Sequence, residues 1–211
     1  MKTIILNASP RNNWNTAQLL RSAMEGAASA GAETEYINLY DLNYTGCRSC
    51  LVCKRKAAQH CRCYWQDELA PVIEKVYAAD TLLIGTPIYF GRPTSHYFAF
   101  VERLRFPALS YDDYSNYFTG HINVGLFLTM NATKEFYEKA YRESFEAYAD
   151  EFRMLNGEII LYPAYNTLQV SNYSDFDMGS FSEEKKKEAH ETCFPSDLKN
   201  AYEIGAKLGK L

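Results

Sequence analysis

The sequence predicts a doubly wound α/β domain: a five-stranded parallel sheet with helices on both faces. Three observations carry that prediction. Five short strand-like runs alternate with five segments of helical periodicity along the 211 residues. Most of the strand-like runs are continuously apolar, as strands covered on both faces must be. Finally, the polar residues with chemical potential crowd into the segments that follow strands, the edge at which open parallel sheets bind ligands.

The elements follow in order. Thr3 to Leu6 reads as a buried strand, and Ala17 to Ala30 as a helix with Leu19, Leu20, Ala23, Met24 and Ala27 on one face and Gly31 as its stop. Glu33 to Leu39 alternates like a strand. Glu68 to Ala79 sets Leu69, Val72, Ile73, Val76 and Tyr77 at helical spacing. Thr81 to Gly85 is the next buried strand and Ser95 to Leu104 the next helix. Asn123 to Thr129 is the most apolar strand, Lys134 to Leu155 a long helix closed by Gly157, and Glu158 to Tyr162 the fifth strand. Asp197 to Leu208 forms the final helix, and the charged run from Glu183 to Glu188 reads as a solvated helix face.

Composition narrows the function. A hydrophobic share of 47% and a charged share of 23% fit one globular domain over residues 1–211. A net charge of −4 excludes a general nucleic-acid binder, which needs a basic stripe. No apolar run reaches the length of a membrane span or a signal-peptide core, so a cytoplasmic protein is expected, with its six cysteines as thiols or metal ligands rather than disulfides.

The loop after the first strand, Asn7 to Thr16, carries Ser9, Arg11, Asn15 and Thr16 into a helix N-terminus, where free N–H groups and the helix dipole favour an anion. A helix cap alone would need one such residue, and this loop has several. The glycine patterns of P-loop and dinucleotide-binding loops are absent. The loop after the third strand, Gly85 to Pro93, is stiffened by Pro87 and Pro93 and presents Ile88, Tyr89, Phe90 and Gly91, which suit a planar ligand. Small tyrosine phosphatases share this type of fold, but no cysteine here has an arginine six positions on. Cys47, Cys50, Cys53, Cys61 and Cys63 fall within a loop spanning 46–63; free thiols, an iron–sulfur cluster, and zinc with His60 are all compatible with the spacing. Cys193 stands apart and is expected to be buried. Tyr111 to Phe118 is aromatic and acidic, suited to a subunit contact more than to a lid.

Taken together, Ser9-Pro10-Arg11 with Asn15-Thr16, Thr86-Pro87-Ile88-Tyr89-Phe90, the cysteines from Gly46 onward, and the helix from Phe194-Pro195-Ser196-Asp197-Leu198 resemble the NADPH-dependent FMN reductases and iron–sulfur flavoproteins. The resemblance implies a flavodoxin-like fold and bound FMN. It implies that Ser9, Arg11, Asn15 and Thr16 hold the phosphate, that Pro87 to Gly91 contact the flavin ring, and that Thr129 and Asn131 lie beside it. No side chain is assigned a catalytic role, since the flavin performs the chemistry. The resemblance further implies NAD(P)H as donor, a small-molecule acceptor such as a flavin or quinone, and a homodimer or homotetramer. Its iron–sulfur branch implies a 4Fe-4S cluster on Cys47, Cys50, Cys53 and Cys61, with Cys63 as the alternative fourth ligand, exchanging electrons with a ferredoxin-like carrier. Trp14 departs from the family, which usually has glycine there.

Overall fold

The computed structural model describes residues 1–210. Five strands, β1 (Lys2–Asn7), β2 (Glu33–Asn38), β3 (Thr81–Pro87), β4 (Ile122–Thr129) and β5 (Asn156–Ala164), form one parallel sheet in the order β2-β1-β3-β4-β5. That order is the flavodoxin-like one, with its switch point between β1 and β3. Helices α1 (Asn15–Ser29), α2 (Ala70–Tyr77), α3 (Ser95–Arg105), α4 (Lys134–Ala140), α5 (Arg142–Asp150), α6 (Glu183–Thr192) and α7 (Phe194–Leu208) cover it.

Strand side chains alternate between two cores, which is why the runs are apolar throughout. Ile4, Leu6, Leu82, Ile84, Leu126 and Leu128 face α2, α3 and α5. Ile5, Leu83 and Phe127 face α1 and α7. Helices α1 and α7 touch backbone to backbone: a Cβ on Gly205 would lie 1.9 Å from the Ala23 carbonyl oxygen. No helix among the described residues is long and apolar enough to cross a membrane.

Several expected boundaries are corrected. The helix expected over 134–155 breaks at Tyr141, whose φ of −122° leaves the helical region and packs its ring against Phe136 and Phe145. It ends at Asp150 in a tight turn closed by Asn156 in the left-handed region, φ 62°, not by Gly157. Gly157 instead lies inside β5, where a Cβ would come 2.1 Å from the Ile122 carbonyl oxygen. Helix α2 starts at Ala70, after Asp67 Oδ1 has accepted the N–H groups of Leu69 and Ala70 at 3.1 and 3.2 Å. Helix α7 starts at Phe194 with Pro195 in its first turn.

Candidate functional site: a two-ended cleft at the β1/β3 switch point

The loop between β1 and α1 is braced from within. Asn7 Oδ1 accepts the Ser9 N–H and Ser9 Oγ accepts the Arg11 N–H, both at 3.1 Å. Trp14 occupies the cap position of α1 and no side chain accepts the helix's leading N–H groups. Asn15 and Thr16 therefore do not serve as the cap that a purely structural reading requires, and the positive end of a fifteen-residue helix opens toward the loop. Ser9, Asn15 and Thr16 are all buried there.

Opposite this turn lies a segment after β5 that the sequence did not mark. The Leu168 carbonyl accepts from Trp14 Nε1 at 2.9 Å and from Asn15 Nδ2 at 2.7 Å, and the Gln169 carbonyl accepts from Arg11 Nη1. Residues 167–169 thus form a strap across the loop. It contributes backbone carbonyls, which any residue carries, so no side-chain pattern could have announced it. Ser9, Arg11, Asn15, Thr16, Thr129 and the strap enclose a pocket of about 160 Å³.

That pocket adjoins a wider cavity of about 810 Å³, and the two share Ile88, Tyr89, Met130, Asn131 and Gln169 in their walls. The loop after β3 shapes this second end. Tyr89 and Arg92 exchange backbone hydrogen bonds at 2.8 and 3.0 Å around Phe90 and Gly91, both with positive φ (51° and 76°). This is a two-residue hairpin turn of the I′ kind. It leaves the Phe90 ring fully in solvent. Thr94 ties the turn to the first loop, its hydroxyl donating to the Ala8 carbonyl at 2.8 Å, and the Ile88 N–H donates to the Thr129 carbonyl at 2.9 Å. Burial pushes the Tyr89 phenol up, opposed by the nearby Arg11 charge.

The residues expected to hold a flavin thus meet in one cleft: Ser9, Arg11, Asn15 and Thr16 at the narrow end, Phe90 and Gly91 at the wide end, and Pro87, Ile88, Tyr89, Thr129 and Asn131 on its walls. The donor chemistry fits FMN. The narrow end offers a cation, hydroxyls and an uncapped helix start for a phosphate. Where the two ends meet, Asn131 Oδ1 and Gln169 Oε1 are buried without hydrogen-bond partners. Carboxamides so placed suit the alternating donor and acceptor edge of a flavin's pyrimidine ring. The sequence also missed Lys186. Expected on a solvated face, it is buried and lines the wide end; its one cue was helical spacing, four residues before His190, which stacks on Phe194.

The cysteines lie elsewhere. Cys47, Cys50, Cys53 and Cys63 line one small pocket with Arg103, while Cys61 does not line it. Among the described residues no three His, Cys, Asp or Glu side chains gather closely enough to hold a metal ion. Burial pushes the Cys53 and Cys61 thiols up, partly offset by Lys54. His60 stacks on Tyr117 with ring centroids 3.6 Å apart. Cys193, expected to be buried, is exposed. The Tyr111–Phe118 stretch walls a separate apolar cavity of about 600 Å³ that shares no lining residue with the cleft, so it is not a lid over it.

A 2-1-3-4-5 parallel sheet, with an uncapped helix start opening at its switch point, defines a protein of the flavodoxin-like fold. The NADPH-dependent FMN reductase family model matches residues 1–125, and the chain belongs to that family. Over 105 residues, 50% of this chain, it is 33% identical to an iron–sulfur flavoprotein of Methanocaldococcus jannaschii, covering 52% of that protein. It is 35% identical over 105 residues to an iron–sulfur flavoprotein of Archaeoglobus fulgidus, covering 49% of it. These matches span about half the length of the curated relatives. The NAD(P)H:quinone oxidoreductase from Methanothermobacter marburgensis shares the fold over 99% of this chain and 98% of its own, with a TM-score of 0.74 at 18% identity.

Proposed function

We propose that the protein binds FMN in the two-ended cleft and uses it to pass reducing equivalents from NAD(P)H to a small-molecule acceptor, a flavin, quinone or similar compound. The observation that carries this reading is the convergence of an uncapped helix start, with Ser9, Arg11, Asn15 and Thr16, and the rigid Pro87–Gly91 loop on two adjoining cavities with shared walls.

Bound FMN would supply the hydride and electron transfer. The chain's own work is placement. Arg11 and the N–H groups of α1 would neutralise the phosphate, and Ser9, Asn15 and Thr16 would donate to it. Pro87, Ile88, Tyr89, Phe90 and Gly91 would flank the ring, Gly91 leaving room for a close approach. Thr129 and Asn131 would border its polar edge. Donor and acceptor would enter in turn through the open, aromatic end. Six free thiols support action in the cytoplasm, and the exposed Tyr111 and Tyr114 support assembly as a dimer or tetramer.

The test is a visible spectrum of purified protein after incubation with FMN and removal of excess, followed by NADH and NADPH oxidation with a quinone. Retained flavin colour and turnover are expected. A colourless protein ends the reading.

A second reading rests on Cys47, Cys50, Cys53 and Cys63 lining one pocket. A 4Fe-4S cluster there would exchange single electrons with FMN and a ferredoxin-like carrier. As placed, the sulfurs do not fit a metal centre, so no step is derived through a cluster. Iron and labile sulfide in anaerobically prepared protein would favour this reading, with Cys61 or Cys63 as fourth ligand decided by substitution.

A further inference from the structure

Helix α6 is charged through its first two turns, yet Lys186 turns inward and is only 6% exposed. Its Nζ donates to the Asn131 carbonyl at 3.0 Å and to Asn166 Oδ1 at 2.5 Å. Both acceptors are neutral. No ion pair involving Lys186 occurs among the described residues, whereas its neighbour Lys187 pairs with Glu183. An ammonium has three N–H donors, and the third has no hydrogen-bond acceptor among the described residues; the Phe181 ring centroid lies 5.9 Å from Nζ. Burying a cation without a counter-charge is unfavourable, so an anion arriving from outside would relieve that cost. Burial lowers its pKa to about 8, so at neutral pH it remains charged.

The cavity fits that reading. No aspartate or glutamate lines it, and Lys185 adds a second cation. Tyr89, Phe90, Phe136 and Phe181, four of the ten exposed large apolar side chains among the described residues, line it. Aromatic walls select a flat ring, and the unpaired ammonium selects an anion. Lys186 is only 6% exposed, so its ammonium favours a compact anion carried directly on the ring. FMN's own phosphate has its donors at the opposite, narrow end.

We infer that the wide end of the cleft selects a planar aromatic electron acceptor bearing a small anionic ring substituent, with Lys186 as the specificity-determining residue that pairs with it. This rests on the FMN-dependent reading above. The net reaction is unchanged: a quinone takes a hydride from NAD(P)H by way of the flavin and a proton from solvent, leaving NAD(P)⁺ and a hydroquinone.

The test uses FMN-loaded protein, fixed NADPH, and two acceptors with the same ring system, 1,4-naphthoquinone-2-sulfonate and 1,4-naphthoquinone. The wild type should favour the sulfonate at least tenfold in kcat/KM; Lys186→Met should abolish that ratio and Lys186→Arg restore most of it. In the wild type alone, naphthalene-2-sulfonate should compete with the neutral quinone at least tenfold more tightly than the uncharged naphthalene-2-sulfonamide. Equal binding of sulfonate and sulfonamide overturns the inference. So does a Lys186→Met variant that keeps the ratio while its FMN affinity or NADPH KM shifts, which would place Lys186 on the flavin or the donor. Failure to retain FMN at the outset overturns the proposed function itself, a result read from flavin absorbance before any acceptor is added.

Discussion

The hydroxyls of Thr16 and Thr129 are hydrogen-bonded to each other at 2.7 Å, joining the first turn of α1 to the end of β4. Both side chains are buried, so each hydroxyl has few other partners. If Thr129 donates, the Thr16 proton is free for a phosphate. Thr16→Val should then remove one charge-assisted hydrogen bond and weaken FMN binding about 10- to 100-fold, from a loss of roughly 1.5–3 kcal/mol. Thr129→Val, which leaves the Thr16 donor in place, should weaken it only a few-fold. Titration by flavin fluorescence quenching separates the two, and equal effects would contradict this division of roles.

Arg103 anchors the cysteine-bearing connection to α3. It is 1% exposed and pairs with Asp67, the residue that also receives the first N–H groups of α2. Its remaining donors reach Cys63 Sγ and the Thr45 carbonyl at 3.3 Å and the Trp65 carbonyl at 3.1 Å. Arg103→Met strands a half-buried carboxylate and releases three contacts at once. It should cost about 3 kcal/mol, as for other buried pairs that lose one member. Chemical denaturation reads the stability. Faster labelling of Cys53 and Cys63 by a thiol reagent reads the loosened loop.

How far the sequence disclosed this arrangement depends on whether a role is played by side chains. The central strands β1, β3 and β4 are buried on both faces and read as short apolar runs, while the edge strands β2 and β5 are half-buried and β2 shows by its alternation; all five were placed to within about two residues. The grouping of Ser9, Arg11, Asn15 and Thr16 was visible because all four are local to one helix start. The strap at 167–169 was hidden, because it acts through the carbonyls of Leu168 and Gln169. The break at Tyr141 was hidden too, since its cause is packing against Phe136 and Phe145. Lys186 misled the charge pattern, because tertiary structure turned one lysine of a lysine run toward the cleft.

Phe90 spends backbone strain on a fully exposed ring. A non-glycine residue in the left-handed region costs on the order of 1 kcal/mol. With no packing in return, the ring's value lies in what it meets at the cavity mouth. Phe90→Asn keeps a residue tolerant of that backbone and should raise stability by about 0.5–1 kcal/mol. The same variant should raise the KM for aromatic acceptors several-fold. A thermal melt and steady-state kinetics on one preparation test both halves; a lowered melting temperature would show that the ring packs against the fold.

Lys186 gives the protein a pH signature. Its folded pKa, lowered by burial to about 8, lies below the value near 10.4 that a lysine has in an unfolded chain. Below pH 8 both states carry the proton and the full burial penalty applies. Between about pH 8 and 10 the folded state releases the proton while the unfolded state keeps it, so stability contributed by this group rises with pH. The tyrosines Tyr36 and Tyr165, raised to about 12, act only above pH 10 and in the opposite sense. Urea unfolding at pH 7, 8, 9 and 10 should therefore show Lys186→Met more stable than wild type at pH 7, by on the order of 2 kcal/mol, with the gap closing by pH 10. Saturating naphthalene-2-sulfonate supplies the missing counter-charge and should flatten the wild-type dependence across the same window. A gap that stays constant with pH would mean that the Lys186 ammonium titrates like a solvated one.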